Sequence, residues 1–168
     1  MLFNSYIFIF VFLPVVLLGF YGLSRHAPSW RIYWLILASF FFYGWWSPPY
    51  VLLLAVFVVA NFAFGRLIQR THSKPWLVMG IVFNLGMIVY YKYFYFLLSQ
   101  IMSPAAIAAQ LPWASPLLPL GISFFTFQKI AYLVDTYQRK VVPHNFGQFA
   151  LFVSFFPQLI AGPIVHQK

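Results

Sequence analysis

Apolar runs close to twenty residues long follow one another through this chain, and the short gaps between them hold most of its charge. A helix rises about 1.5 Å per residue, so about 20 apolar residues match a hydrocarbon core about 30 Å thick. Composition agrees: 63% of the 168 residues are hydrophobic and 7% are charged, too few charges to cover a soluble domain of this length. The expected fold class is all-α, a polytopic transmembrane helical bundle with about six apolar segments.

The first run covers residues 3–23. No Lys or Arg precedes it and no small-residue cleavage site follows a short apolar core, so it reads as a retained helix and not as a cleaved signal. Pro14 removes a backbone donor within it and predicts a kink. Ser29 is placed to cap a second run at 30–46, whose ends carry Trp30, Trp45 and Trp46, as in an interfacial aromatic belt. Ser47-Pro48-Pro49 is a tight turn, with Ser47 a cap and Pro48 at the first helical position of a third run, 49–68. The fourth, 76–98, carries Lys92 inside the aromatic sequence YYKYFYF, from which the ammonium can snorkel to the interface.

Ten Lys/Arg stand against one acid, Asp135, for a net charge of +9. In a soluble chain that balance suggests nucleic acid, but here the cations fall at alternate connections: Arg25 and Arg31, then Arg66, Arg70 and Lys74, then Arg139 and Lys140. The connections 47–49 and 99–117 carry none. Cations are retained on the cytoplasmic side, which puts the N-terminus outside and Lys168 near the outer face after six crossings. The partner expected on this ground is the lipid bilayer and not nucleic acid. The domain reading is a single incomplete domain: four N-terminal transmembrane helices in 1–98, an apolar interfacial loop in 99–117, and a transmembrane or re-entrant helix pair in 118–168. The chain has no Cys, so disulfides, thiolate metal sites and cysteine nucleophiles are excluded.

The stretch 118–168, LPLGISFFTFQKIAYLVDTYQRKVVPHNFGQFALFVSFFPQLIAGPIVHQK, holds the unusual polar groups. At about 100° per residue, Gln128, Lys129, Tyr132, Asp135 and Thr136 share an arc of about 120° on one helix face. Asp135 and Arg139 have the spacing of a helical ion pair. A cation at the depth of Lys129 has to face protein or a water-filled cavity. This face is either interhelical glue or the wall of a polar cavity, and spacing does not decide between them. After an expected N-cap at Asn145, the segment PQLIAGP breaks helical pairing at Pro157 and at Gly162-Pro163. Irregular backbone at membrane depth is tolerated only when buried in protein or lining a cavity, which predicts a pocket around Gln158 and Gly162 and either two half-helices or a segment that bends back.

LPLGISFFTFQKIAYLVDTY followed by FVSFFPQLIAGPI resembles the membrane-bound O-acyltransferase family, in its bacterial branch of alginate O-acetylases and related D-alanyl transferases of teichoic acid. MLFNSYIFIFVFLPVV and ASFFFYGWWSP resemble the same branch, so nearly the whole chain is covered. The resemblance implies a ring of tilted helices around a thin centre. Through it an acyl group from a cytoplasmic donor, acetyl-CoA or an acyl carrier, reaches a hydroxyl acceptor on the other face of a bacterial inner membrane. It also implies O-acetylation of an exported polysaccharide such as alginate, aided by an acceptor-side protein, with no bound cofactor. Gln128, Lys129, Tyr132, Asp135, Gln158, Gly162 and Pro163 are then candidates for the substrate passage.

Members of that family are longer, and their essential histidine lies in a part that would follow Lys168. The expectation is thus the N-terminal part of an acyltransferase, without a catalytic residue of its own. His26 and His72 lie in basic gaps, His144 in a turn and His166 at the chain end, none a water-excluded setting for a base. No metal-ligand cluster or glycine-rich phosphate loop is present in the pattern. Two alternatives stand beside this reading. Lys129 and the broken helix are also features of a transporter or channel, and a non-catalytic membrane subunit that docks a partner is the other.

Overall fold

The computed structural model describes residues 5–46, 48–103, 106–107, 121–140 and 145–161, and every regular element among them is helical. The elements are α1 (Phe8–His26), α2 (Arg31–Trp46), α3 (Pro49–Thr71), α4 (Lys74–Ile101), α5 (Ile122–Tyr137), α6 (Phe146–Ser154) and α7 (Phe156–Ala161). Three of them, α1, α3 and α4, are long and apolar enough to cross a membrane. The 16 residues of α2 and of α5 reach about 24 Å each at about 1.5 Å per residue. The molecule is an integral membrane helical bundle. Its contacts divide it into two compact units, Met1–Ala63 with Val142–Pro163, and Phe64–Val141 with Ile164–Lys168. The division falls within α3, and most of the expected 99–117 loop lies outside the described residues.

In the first unit, Pro14 follows a widened turn of the first helix. A π-helical segment, Phe8–Phe12, precedes it, and the Leu13 amide donates to the Phe8 carbonyl. The wider turn stands where the proline ring would otherwise meet the carbonyl four residues back. α1 packs on α2 at Gly19, where a Cβ would come within 2.6 Å of the Trp34 indole nitrogen. That nitrogen donates to the Val16 carbonyl at 3.0 Å, so the absence of a side chain at Gly19 lets an indole hydrogen-bond across two helices. Ser29 does not cap α2: it lies inside a 3-10 turn, Pro28–Trp30, which carries the chain into the helix. Ser47 is outside the described residues, and α3 starts at Pro49, as the third run was expected to, so that Pro49 and not Pro48 holds the first helical position, with the Val51 amide donating to the Pro48 carbonyl.

The same unit holds an aromatic cluster of Phe8, Phe12, Phe42 and Phe156, joined by Val16 and Ala38. The Phe156 ring lies 5.3 Å from Phe12 and 5.5 Å from Phe42, distances at which offset and edge-on ring pairs are favourable. α6 begins with the expected Asn145 cap, completed as a capping box: the Gln148 amide donates to Asn145 Oδ1 at 2.8 Å and the Asn145 amide to Gln148 Oε1 at 3.2 Å.

In the second unit α5 packs along α4. Gly80 makes the approach possible, since a Cβ there would stand 2.6 Å from Leu133 Cδ1. Asn84, fully buried one turn on, donates to the Gly80 carbonyl at 2.8 Å. α5 opens from Gly121 in the left-handed region, φ 71°. It closes in a Schellman pattern: the Lys140 amide donates to the Asp135 carbonyl at 2.9 Å and the Arg139 amide to Thr136 at 3.1 Å. Arg139 itself is left-handed, φ 59°, past the helix end. The helical i,i+4 relation expected between Asp135 and Arg139 is therefore lost, and Arg139 Nε instead stands 3.5 Å from His72 Nδ1.

Candidate functional site

The polar face of α5 is buried, although nothing in its hydropathy alone requires this. Gln128 is 3% exposed, Lys129 1%, Tyr132 6% and Asp135 9%. The helical period puts these residues on one side, and Leu133, on the neighbouring stripe, is held against Gly80 of α4. Tyr132 is fixed by a second glycine: a Cβ at Gly65 of α3 would stand 3.0 Å from Tyr132 Cζ, so the phenol ring rests on bare backbone. The face is thus locked in rotation by two close approaches, one on each side.

Lys129 Nζ lies midway along α5 and over the Phe125 ring, 4.6 Å from its centroid. A cation over an aromatic face gains some electrostatic stabilisation, but far less than removal from water takes away. Among the described residues no hydrogen-bond partner lies within reach of Lys129 Nζ, Gln128 Nε2 or Thr126 Oγ1, all of them buried. Buried polar groups in native proteins are nearly always satisfied, so donors left over along one helix mark a place where another group belongs.

In the first unit, the expected break of the last apolar run is present as the two short helices α6 and α7, interrupted at Phe155 (φ −55°, ψ 112°). Pro157 cannot donate, and the Phe156 amide, which starts α7, has no carbonyl of the preceding helix to reach. It donates instead to Ser39 Oγ of α2 at 3.2 Å, and that hydroxyl donates on to the Leu35 carbonyl at 2.7 Å. Gln158 follows on α7, with Nε2 buried and without a partner among the described residues. Gly162 and Pro163 lie outside the described residues.

The two groups of candidates, Gln128, Lys129, Tyr132 and Asp135 on one hand and Gln158 on the other, belong to different units. Ser39 and Thr126 were not singled out by sequence. Each is a small hydroxyl inside an apolar run, a signal too common in membrane helices to stand out. His26 and His72 are exposed, and His144 and His166 lie outside the described residues. Among the described residues no group of three His, Asp or Glu side chains could hold a metal ion.

Curated proteins align with the full length of this chain. A peptidoglycan O-acetyltransferase of Helicobacter pylori is 39% identical over 100% of the chain and 37% of its own length. The probable alginate O-acetylase AlgI of Pseudomonas aeruginosa is 39% identical, covering 100% of the chain and 33% of its own length. That of Azotobacter vinelandii is 37% identical over 98% of the chain and 34% of its own length. The chain thus spans about a third of the length of the curated relatives it matches. Neither a family model nor a solved structure matches it.

Proposed function

From the premise that this chain belongs to the membrane-bound O-acyltransferase family, we propose that the protein it forms transfers an acetyl group to hydroxyls of an exported polysaccharide. Alginate and peptidoglycan are the acceptor classes that the relatives' names suggest. In the reaction the acceptor oxygen bonds to the acyl carbon, the bond from that carbon to the donor sulfur breaks, and the hydroxyl proton leaves with a base. The donor is acetyl-CoA or an acyl carrier, and an acceptor-side protein completes delivery. No residue of this chain is assigned as the base.

The observation that carries the reading is the row of buried, unpartnered donors on α5. Buried donors in a membrane bundle need an acceptor, because lipid offers no replacement for water, and a substrate passing along this face supplies one. Gln128, Lys129, Tyr132 and Asp135 are assigned to the wall of the acyl passage. Gln158, with Gly162 and Pro163, is assigned to substrate contact on the separate ground of its own unpartnered buried amide and the interrupted backbone beside it. The alternate basic gaps support a cytoplasmic-membrane protein with its N-terminus outside. The same proposal takes 1–98 as four N-terminal transmembrane helices, 99–117 as an apolar interfacial loop and 118–168 as a transmembrane or re-entrant pair of one incomplete domain.

The test is acetyl transfer by the full-length protein in nanodiscs. Gln158→Leu and Gln128→Leu should each lower kcat/KM about tenfold, as expected when a hydrogen bond to substrate is lost, while insertion and melting temperature stay near wild type. Unchanged transfer in both variants removes these residues from the passage. Ion or solute flux without acyl transfer would instead establish the transporter alternative.

A further inference from the structure

Lys129 is a buried basic side chain with no acceptor beside its Nζ among the described residues. Asp135 is the one Asp or Glu in the 168 residues, and it lies six positions on, about 9 Å along the helix axis. Lys129 Nζ has no hydrogen-bond partner among the described residues, and the side chain is 1% exposed, so bulk water does not screen it. A buried ammonium without an anion is strongly unfavourable in a low-dielectric bundle. The Phe125 ring beneath it supplies a quadrupole and not a charge. The unpartnered donors nearest in sequence are the Gln128 amide and the Thr126 hydroxyl, both suited to an acceptor-rich group.

We propose that Lys129, assisted by the side-chain amide of Gln128, seats an anionic group of a substrate, a carboxylate or a phosphate, and that the protein selects charged substrates through this contact. The proposal rests on the assignment of the α5 face to the acyl passage. The selectivity follows from the missing partner. An anion supplies the counter-charge the ammonium lacks and accepts its hydrogen bonds, whereas a neutral analogue of the same shape leaves the cation buried and unpaired. Two sources carry this chemistry: the phosphates of a nucleotide thioester donor and the carboxylates of a uronate acceptor.

The experiment uses the full-length protein in nanodiscs and two matched pairs of probes. Acetyl-CoA is compared with S-acetylpantetheine, which has no phosphate, and an alginate oligosaccharide with its methyl ester, which has no carboxylate. In one pair, Lys129→Met should lower kcat/KM for the charged member about tenfold or more relative to its effect on the neutral member, and Lys129→Arg should restore that difference. The pair whose discrimination collapses identifies the source of the anion. Should Lys129→Met fail to fold, Gln128→Leu should still narrow the same discrimination about threefold or more. Equal losses for charged and neutral probes would leave α5 on the passage but overturn the anion. Unchanged rates in every arm would overturn the passage assignment as well. A lower substrate-free melting temperature with unchanged discrimination would assign the counter-charge to the protein's own assembly and overturn the proposal.

Discussion

Ser39→Ala isolates the hydroxyl that joins α2 to the break between α6 and α7. The Phe156 amide donates to Ser39 Oγ at 3.2 Å, and Ser39 is fully buried, so neither water nor lipid can take its place. Removing the hydroxyl orphans a buried donor, a loss of about 1–3 kcal/mol. The second bond, from Ser39 Oγ to the Leu35 carbonyl, contributes less, because a carbonyl inside a helix keeps its own amide partner. If the Phe156 amide exchanges by local opening, its hydrogen exchange should speed about 5- to 150-fold, the same free energy written as a ratio. Pro157 has no amide, so the difference between two peptides that both begin at 150 and end at 155 and at 157 reports the Phe156 amide alone. Hydrogen exchange with mass spectrometry on the full-length protein in nanodiscs is the assay. Ser154→Ala is the control, since that hydroxyl donates only to the Ala150 carbonyl of its own helix and should leave Phe156 unchanged. Exchange at Phe156 within about twofold of wild type in Ser39→Ala would refute the idea that this hydroxyl holds the break.

Gly80→Val should destabilise the protein by about 1–3 kcal/mol in a denaturant titration, because a Cβ 2.6 Å from Leu133 forces α4 away from α5. Arg139→Gly should raise stability by about 0.5–1 kcal/mol, since φ 59° disfavours every side chain and glycine keeps the Schellman bonds; a lower melting temperature would contradict this. Asn145→Ala should cost about 1 kcal/mol by opening the capping box, measurable as faster exchange at the Gln148 amide. Phe156→Ala should lower the melting temperature of the full-length protein more than Phe146→Ala does, because Phe156 is buried in the aromatic cluster and Phe146 is half open.

What can be read from the sequence follows physical range. The helical class, the span positions of α1, α3 and α4, and the Asn145 cap depend on residues within a few positions of one another, and the structure has them. Helical period alone puts Gln128, Lys129, Tyr132 and Asp135 on one face, whereas their burial depends on the distant close approaches at Gly65 and Gly80. Ser39 has no such local signature, because its amide partner lies 117 positions away. The Schellman end at Arg139 was obscured because the usual mark of that turn is glycine, and here an arginine occupies it. Pro14 was visible as a disturbance, but a missing donor does not specify the widened turn found at Phe8–Phe12.

The aromatic cluster of the first unit also sets an order of assembly. Phe8, Phe12, Phe42 and Ser39 leave the ribosome early, whereas Phe156 is made more than a hundred residues later. Until then the two earlier helices hold a cleft with one ring and one hydrogen-bond donor missing. Insertion of Phe156 closes that cleft and orders the start of α7 in the same event, so the polar, interrupted segment around Gln158 is delivered onto a surface already built.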